Sequence, residues 1–146
     1  LIATSFFVFF IDGVPILEHL QEKLVTSTNV IEEVTYVLIK QKVKEIEEEM
    51  THYELLSFLR ENPAHIMEIF GEIKEDIRRL LEILNIMVLE PANYEEMWNV
   101  IERYGLLPND ALIVATCENH GITKIATFDE DFKKVDFLET FQSPLK

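Results

Sequence analysis

Cysteine occurs once in these 146 residues, at Cys117, so no intramolecular disulfide can form and a reducing cytoplasm is the simplest setting. A lone cysteine in an apolar run reads as a small buried side chain. Glycine and proline are scarce too, four and five in all, and no stretch is rich in either or in serine. That argues against a linker and for a single domain over residues 1–146. No apolar run approaches the roughly 20 residues of a membrane-spanning helix, which predicts a soluble chain with no membrane partner. Residues 1–11 are apolar but lack the basic leader and small-residue cleavage site of a signal peptide. The four histidines, His19, His52, His65 and His120, are too scattered for a zinc site. P-loop, GxGxxG and Ser/His/Asp patterns are missing as well.

What the chain does have is acid. Its 27 Asp and Glu against 13 Lys and Arg give a formal net charge of −14. A hydrophobic fraction of 48% is ample for a core, so these charges belong on the surface rather than in a disordered tail. A protein of this charge repels nucleic-acid phosphates unless cations neutralise part of its site or a basic partner does so.

Four short apolar segments read as strands: Leu1-Ile2-Ala3-Thr4, Leu24-Val25-Thr26-Ser27, Ile86-Met87-Val88-Leu89 and Lys124-Ile125-Ala126-Thr127. Each precedes helix-like sequence, the alternation that produces a parallel sheet with helices on its faces. Ile66, Phe70, Ile73, Ile77, Leu80 and Leu84 recur at steps of three and four, predicting an amphipathic helix that begins near Pro63. Thr51 with Glu54, and Asn93 with Glu96, predict capping boxes, and Gly105 is placed to end the second of those helices. Residues 42–49 read as the exposed far end of a helix starting near Asn29. The expected fold is helix-rich α/β.

Acids recur where strands give way to helices. Glu32 stands three residues after Asn29, and a capping box there is compatible with a carboxylate facing the cleft at the sheet's edge. Asn109 or Asp110 is a natural N-cap for a helix that is apolar on nearly every side, which holds Asp110 rigidly near the core. Asp129 and Asp131 follow the last of the four strands, where aspartate also serves as a turn former. Taken together, Glu32, Asp110 and Asp129 predict one cleft of oxygen ligands suited to Mg2+ or Mn2+.

Four motifs carry a resemblance over nearly the whole length: Ile2-Ala3-Thr4-Ser5-Phe6-Phe7, Thr28-Asn29-Val30-Ile31-Glu32, Leu107-Pro108-Asn109-Asp110-Ala111-Leu112-Ile113, and Thr127-Phe128-Asp129-Glu130-Asp131-Phe132. In these the chain resembles the PIN domain of VapC-type toxin ribonucleases, and the last two motifs are quite specific together. The resemblance implies a PIN-like three-layer fold, a short parallel sheet flanked by helices. It also implies Mg2+- or Mn2+-dependent cleavage of RNA, a homodimer, and an antitoxin protein as partner. The family's second, third and fourth acids fall on Glu32, Asp110 and Asp129. Thr127 and Thr4 or Ser5 match accompanying hydroxyl positions, and Asp131 an outer acid. The place of the family's first acid is Ala3. Asp12, in the turn Asp12-Gly13, is too far along to replace it.

Two functions follow as expectations. One is a metal-dependent endoribonuclease, the toxin of a toxin–antitoxin pair, impaired because position 3 offers no carboxylate. The other is a catalytically inactive module that keeps the fold and uses its helical faces for protein contacts.

Overall fold

The computed structural model of the chain describes residues 1–3, 23–46 and 49–141. Its strands are β1 (Val25–Ser27), β2 (Met87–Leu89), β3 (Lys124–Ala126) and β4 (Glu139–Phe141). The helices are α1 (Thr28–Ile46), α2 (His52–Glu61), α3 (Pro63–Ile83), α4 (Tyr94–Tyr104) and α5 (Pro108–Asn119), with a 3-10 turn over Glu130–Lys134. The fold is helix-rich α/β with short parallel strands.

Parallel pairing joins β1 to β2, with Val25 opposite Met87, and β3 to β4, with Lys124 opposite Glu139. Residues 1–3 lie between the two pairs. Ile2 N–H donates to Val25 C=O at 2.8 Å, Ala126 N–H to Leu1 C=O at 2.8 Å, and Ala3 N–H to Ala126 C=O at 3.0 Å. The spatial order is therefore β2, β1, residues 1–3, β3, β4. The buried Thr26 hydroxyl adds a 3.0 Å bond to Ile2 C=O. Of the first expected strand, residues 1–3 contribute a single parallel bridge, Ile2 to Ala126, and Thr4 lies outside the described residues. β4 has no counterpart in the sequence reading. Glu139-Thr140-Phe141 is not an apolar run, and it becomes a strand through its partners: Glu139 N–H meets Thr123 C=O and Thr127 N–H meets Phe141 C=O.

Of the expected capping boxes, those at Thr51 with Glu54 and at Asn93 with Glu96 form. Gly105 ends α4 at φ 68, a left-handed conformation that costs glycine little. On α3 the buried residues are Ile69, Ile73 and Ile77. Phe70, expected on that stripe, is 39% exposed because Ile69 takes the inward position beside it. The helix from Thr28 ends at Ile46, and within residues 42–49 Val43 is fully buried.

Two expected N-caps differ. α1 begins at Thr28, so Asn29 and Glu32 lie inside the helix and its first turn carries no acid. α5 is capped by Leu107 with Pro108 at its start, where proline's missing N–H costs nothing, so Asn109 and Asp110 sit in the first turn. Their side chains are thereby released from capping. Buried Ala111, Ile113, Val114, Ala115, Thr116 and Cys117 place α5 in the core, against α4 and α1. Gly121, at φ 66, closes it: Ile122 N–H reaches Cys117 C=O and Gly121 N–H reaches Glu118 C=O. Burial raises the Cys117 thiol to about 11, which keeps it an unreactive core group.

Ile113, 1% exposed at the centre of α5, tests this placement. Ile113→Ala should lower unfolding free energy by about 2–5 kcal/mol, measured as a lower urea midpoint at unchanged slope. A loss below about 1 kcal/mol would show that α5 does not carry the core.

Candidate metal centre

Asp110, Asp129 and Asp131 come together at the carboxyl end of β3. One oxygen from each lies within 4.8 Å of the others. Asp110 is delivered by the first turn of α5, and the other two by the turn after Thr127. That turn is pinned locally. Asp129 N–H donates to the buried Thr127 Oγ1 at 3.0 Å, and Asp131 N–H donates to Asp129 Oδ1 at 2.9 Å, so Asp129 caps the 3-10 turn. A carboxylate has two oxygens, and capping engages one of them.

The cluster is electrostatically tense. Removal from water, then the charges of Asp129, Glu33 and Asp131 in that order, push Asp110 from the ordinary 3.8 up to about 6. Asp131, exposed, has Lys134 Nζ at 3.4 Å. Among the described residues, no lysine, arginine or histidine pairs with Asp110 or Asp129. Converging carboxylates of which only the outer one, Asp131, meets a cationic side chain among the described residues suit a hard divalent cation with oxygen ligands.

Glu32 is not in this cluster: it is exposed, and Glu33 is the α1 acid that acts on Asp110. The helical wheel explains the difference. At about 100° per residue, Glu32 points away from the fully buried Val30 and Val34, whereas Glu33 shares a side with Asn29. Asn109 Nδ2 donates to Glu33 Oε2, and Asn109 Oδ1 accepts from Asn29 Nδ2 at 3.4 Å. Ser27 Oγ in turn donates to Asn29 Oδ1 at 2.5 Å. Glu33, Asn29 and Asn109 were not assigned these roles from sequence. The start of α1 at Thr28, together with the i, i+4 spacing of Asn29 and Glu33, is the signal that identifies them.

Ala3 is 2% exposed at the end of residues 1–3, its N–H on the residue preceding Thr127. Its methyl group offers no oxygen to the cluster. Thr4 and His19 lie outside the described residues.

A carboxyl group raised in the fold favours the protonated folded state. Its stabilising contribution is complete below about pH 4 and is lost as pH rises through about 6. In EDTA, Asp110→Asn should therefore raise the melting temperature at pH 7.5 by a few degrees and give no such gain at pH 4. Equal shifts at both pH values, followed by calorimetry, would rule out like-charge strain as the cause.

A family model for the PIN domain matches residues 51–138. Ribonuclease VapC6 of Methanocaldococcus jannaschii is 37% identical over 84 residues, 56% of this chain and 54% of that protein. Ribonuclease VapC2 of the same organism is 46% identical over 63 residues, 43% of this chain and 42% of that one. The chain thus spans about half the length of the curated relatives it matches. The crystal structure of PAE2754 from Pyrobaculum aerophilum shares the fold at TM-score 0.55 and 16% identity, over 95% of this chain and 87% of that chain. With more than half of its length matched by the family model, the chain belongs to the PIN-domain family.

Proposed function

We propose that this chain is a VapC-type endoribonuclease domain that hydrolyses RNA phosphodiesters with Mg2+ or Mn2+, acting in the cytoplasm as the toxin of a toxin–antitoxin pair. The observation that carries the reading is the convergence of Asp110, Asp129 and Asp131, with Asp110 raised by burial and then by its acidic neighbours. A homodimer and an antitoxin protein belong to the same proposal, by similarity to the VapC ribonucleases.

In this reading Asp110 and Asp129 hold the cation, with Asp131, already paired to Lys134, as an outer acid. When bound, the cation lowers the pKa of an attacking water and neutralises charge developing on the phosphate. The chain's own groups set the stage. Thr127 fixes the backbone at Asp129 through its hydroxyl, and Asn109 orients Glu33 beside Asp110. Between adjacent glutamates, the hydrogen bond from Asn109 and the field at Asp110 support Glu33 over Glu32 as the family's second acid. Deprotonating Asp110 is a precondition for ligation, so metal affinity should rise as pH passes through about 6.

Ala3 favours a weakened enzyme, and it also motivates the second reading, an inactive PIN-like module for protein contacts. The experiment is Ala3→Asp. Its metal-dependent cleavage of a mixed RNA pool should exceed that of the present chain by about 10²-fold or more and vanish in EDTA. On that background Glu33→Gln should abolish most of the gain, whereas Glu32→Gln should leave it intact. A folded Ala3→Asp protein inert toward RNA with either metal would replace the nuclease with the inactive module.

A further inference from the structure

Helix α4 exposes a large aromatic surface that the core does not use. Tyr94 and Trp98 are 60% and 54% exposed and stack edge to face, with ring centroids 5.0 Å apart and an interplanar angle of 75°. At about 100° per residue, Tyr94, Trp98, Glu102 and Glu95 fall in that order across one outward stripe. All four are exposed. Tyr94 Oη donates to Glu95 Oε1 at 3.3 Å. Among the described residues, neither Glu95 nor Glu102 has a cationic partner.

A groove of about 360 Å³ adjoins the stripe where α4 meets α5, lined by Glu96, Asn99, Glu102, Arg103, Glu118 and Asn119. Its one arginine is already occupied, with Arg103 Nη2 2.8 Å from Glu118 Oε2. The groove therefore keeps an excess of carboxylate. Asn119 Nδ2 donates to Glu96 Oε2, which ties this face to the last turn of α5. Asp110 belongs to the first turn of that twelve-residue helix, about 14 Å away along its axis. The face is thus separate from the acid cluster, and the inference does not rest on the ribonuclease reading.

Charge decides what can cover it. A second copy meeting it about a two-fold axis would set Glu95 and Glu102 against themselves on chains of net charge −14. RNA and anionic lipid surfaces meet the same repulsion. A cationic polypeptide meets none. Tryptophan is the aromatic ring that attracts cations best, and the planar guanidinium group both stacks on it and pairs with flanking carboxylates. We propose that the α4 face centred on Trp98 docks an arginine-bearing basic segment of a partner protein, one guanidinium lying over the indole between Glu95 and Glu102.

Trp98 is the only tryptophan in the chain, so it reports on its own surface. A peptide of four Arg-Ser repeats, titrated into the full chain at low salt, should change tryptophan emission saturably, and the lysine counterpart should bind several-fold more weakly. Calorimetry should show roughly tenfold weaker binding for Trp98→Ala and for Glu95→Gln/Glu102→Gln, both with unchanged helical content. Glu68→Gln/Glu82→Gln, the same charge change on α3, and Asp129→Asn at the acid cluster should bind like the parent. The proposal is overturned if emission does not saturate, if Trp98→Ala binds normally, or if either control variant weakens binding as much. It is overturned equally if sedimentation shows a peptide-free dimer that Trp98→Ala dissociates, since a second copy would then be the occupant.

Discussion

Three backbone hydrogen bonds made by residues 1–3 determine the rest of the architecture. Without them the described strands are two separate parallel pairs, β1 with β2 and β3 with β4. Ile2 N–H on Val25 C=O, and the exchange between Leu1, Ala3 and Ala126, turn the pairs into one sheet. Once joined, the ends of β1 and β3 share an edge. α1 leaves that edge directly after β1 and carries Glu33. The turn after β3 carries Asp129 and Asp131, and α5 inserts Asp110 between these two sources of charge.

The arrangement is costly to the fold. Asp110 is withdrawn from water and like charges are held beside it on rigid elements, so it retains its proton toward pH 6. A structural role would favour a neutral side chain at the mouth of a helix this deeply packed. The proposed cation binding would account for keeping acid there, because a divalent ion converts mutual repulsion into shared attraction. In the proposed nuclease it also supplies the positive charge that a −14 chain needs before an RNA phosphate can approach. The Asn29–Asn109–Glu33 chain of hydrogen bonds has the same logic, since an amide donor holds an acid in place without neutralising it.

Much of this could be read from the residues themselves. Periodicity marked α3, and side-chain capping patterns marked α2 and α4, because those signals act over three to five residues of chain. The acids after β3 and at the start of α5 were legible because strand ends and helix starts recur together. What escaped depended on partners distant in sequence. β4 is defined by hydrogen bonds to Thr123 and Thr127, not by its own composition. The expected N-cap at Asn29 placed the start of α1 two residues late. About 100° separates Glu32 from Glu33 around the helix, so the residues alone did not show which of the two shares the side of Asn29. α5 starts at Pro108 with Leu107 as its cap, so Asn109 lies in the first turn and its side chain reaches Glu33, a contact across 76 positions.

The proposed cation site is tested most directly by titrating Mn2+ into the metal-free chain at pH 7.5 and pH 5 while following free Mn2+ by electron paramagnetic resonance. The account predicts one saturable site at the higher pH, weakened at pH 5 and lost in Asp110→Asn and in Asp129→Asn, with the fold intact. Equal Mn2+ uptake by the parent and both variants would contradict it, because the ion would then be held by dispersed surface acids and not by the carboxylates that converge beside Thr127.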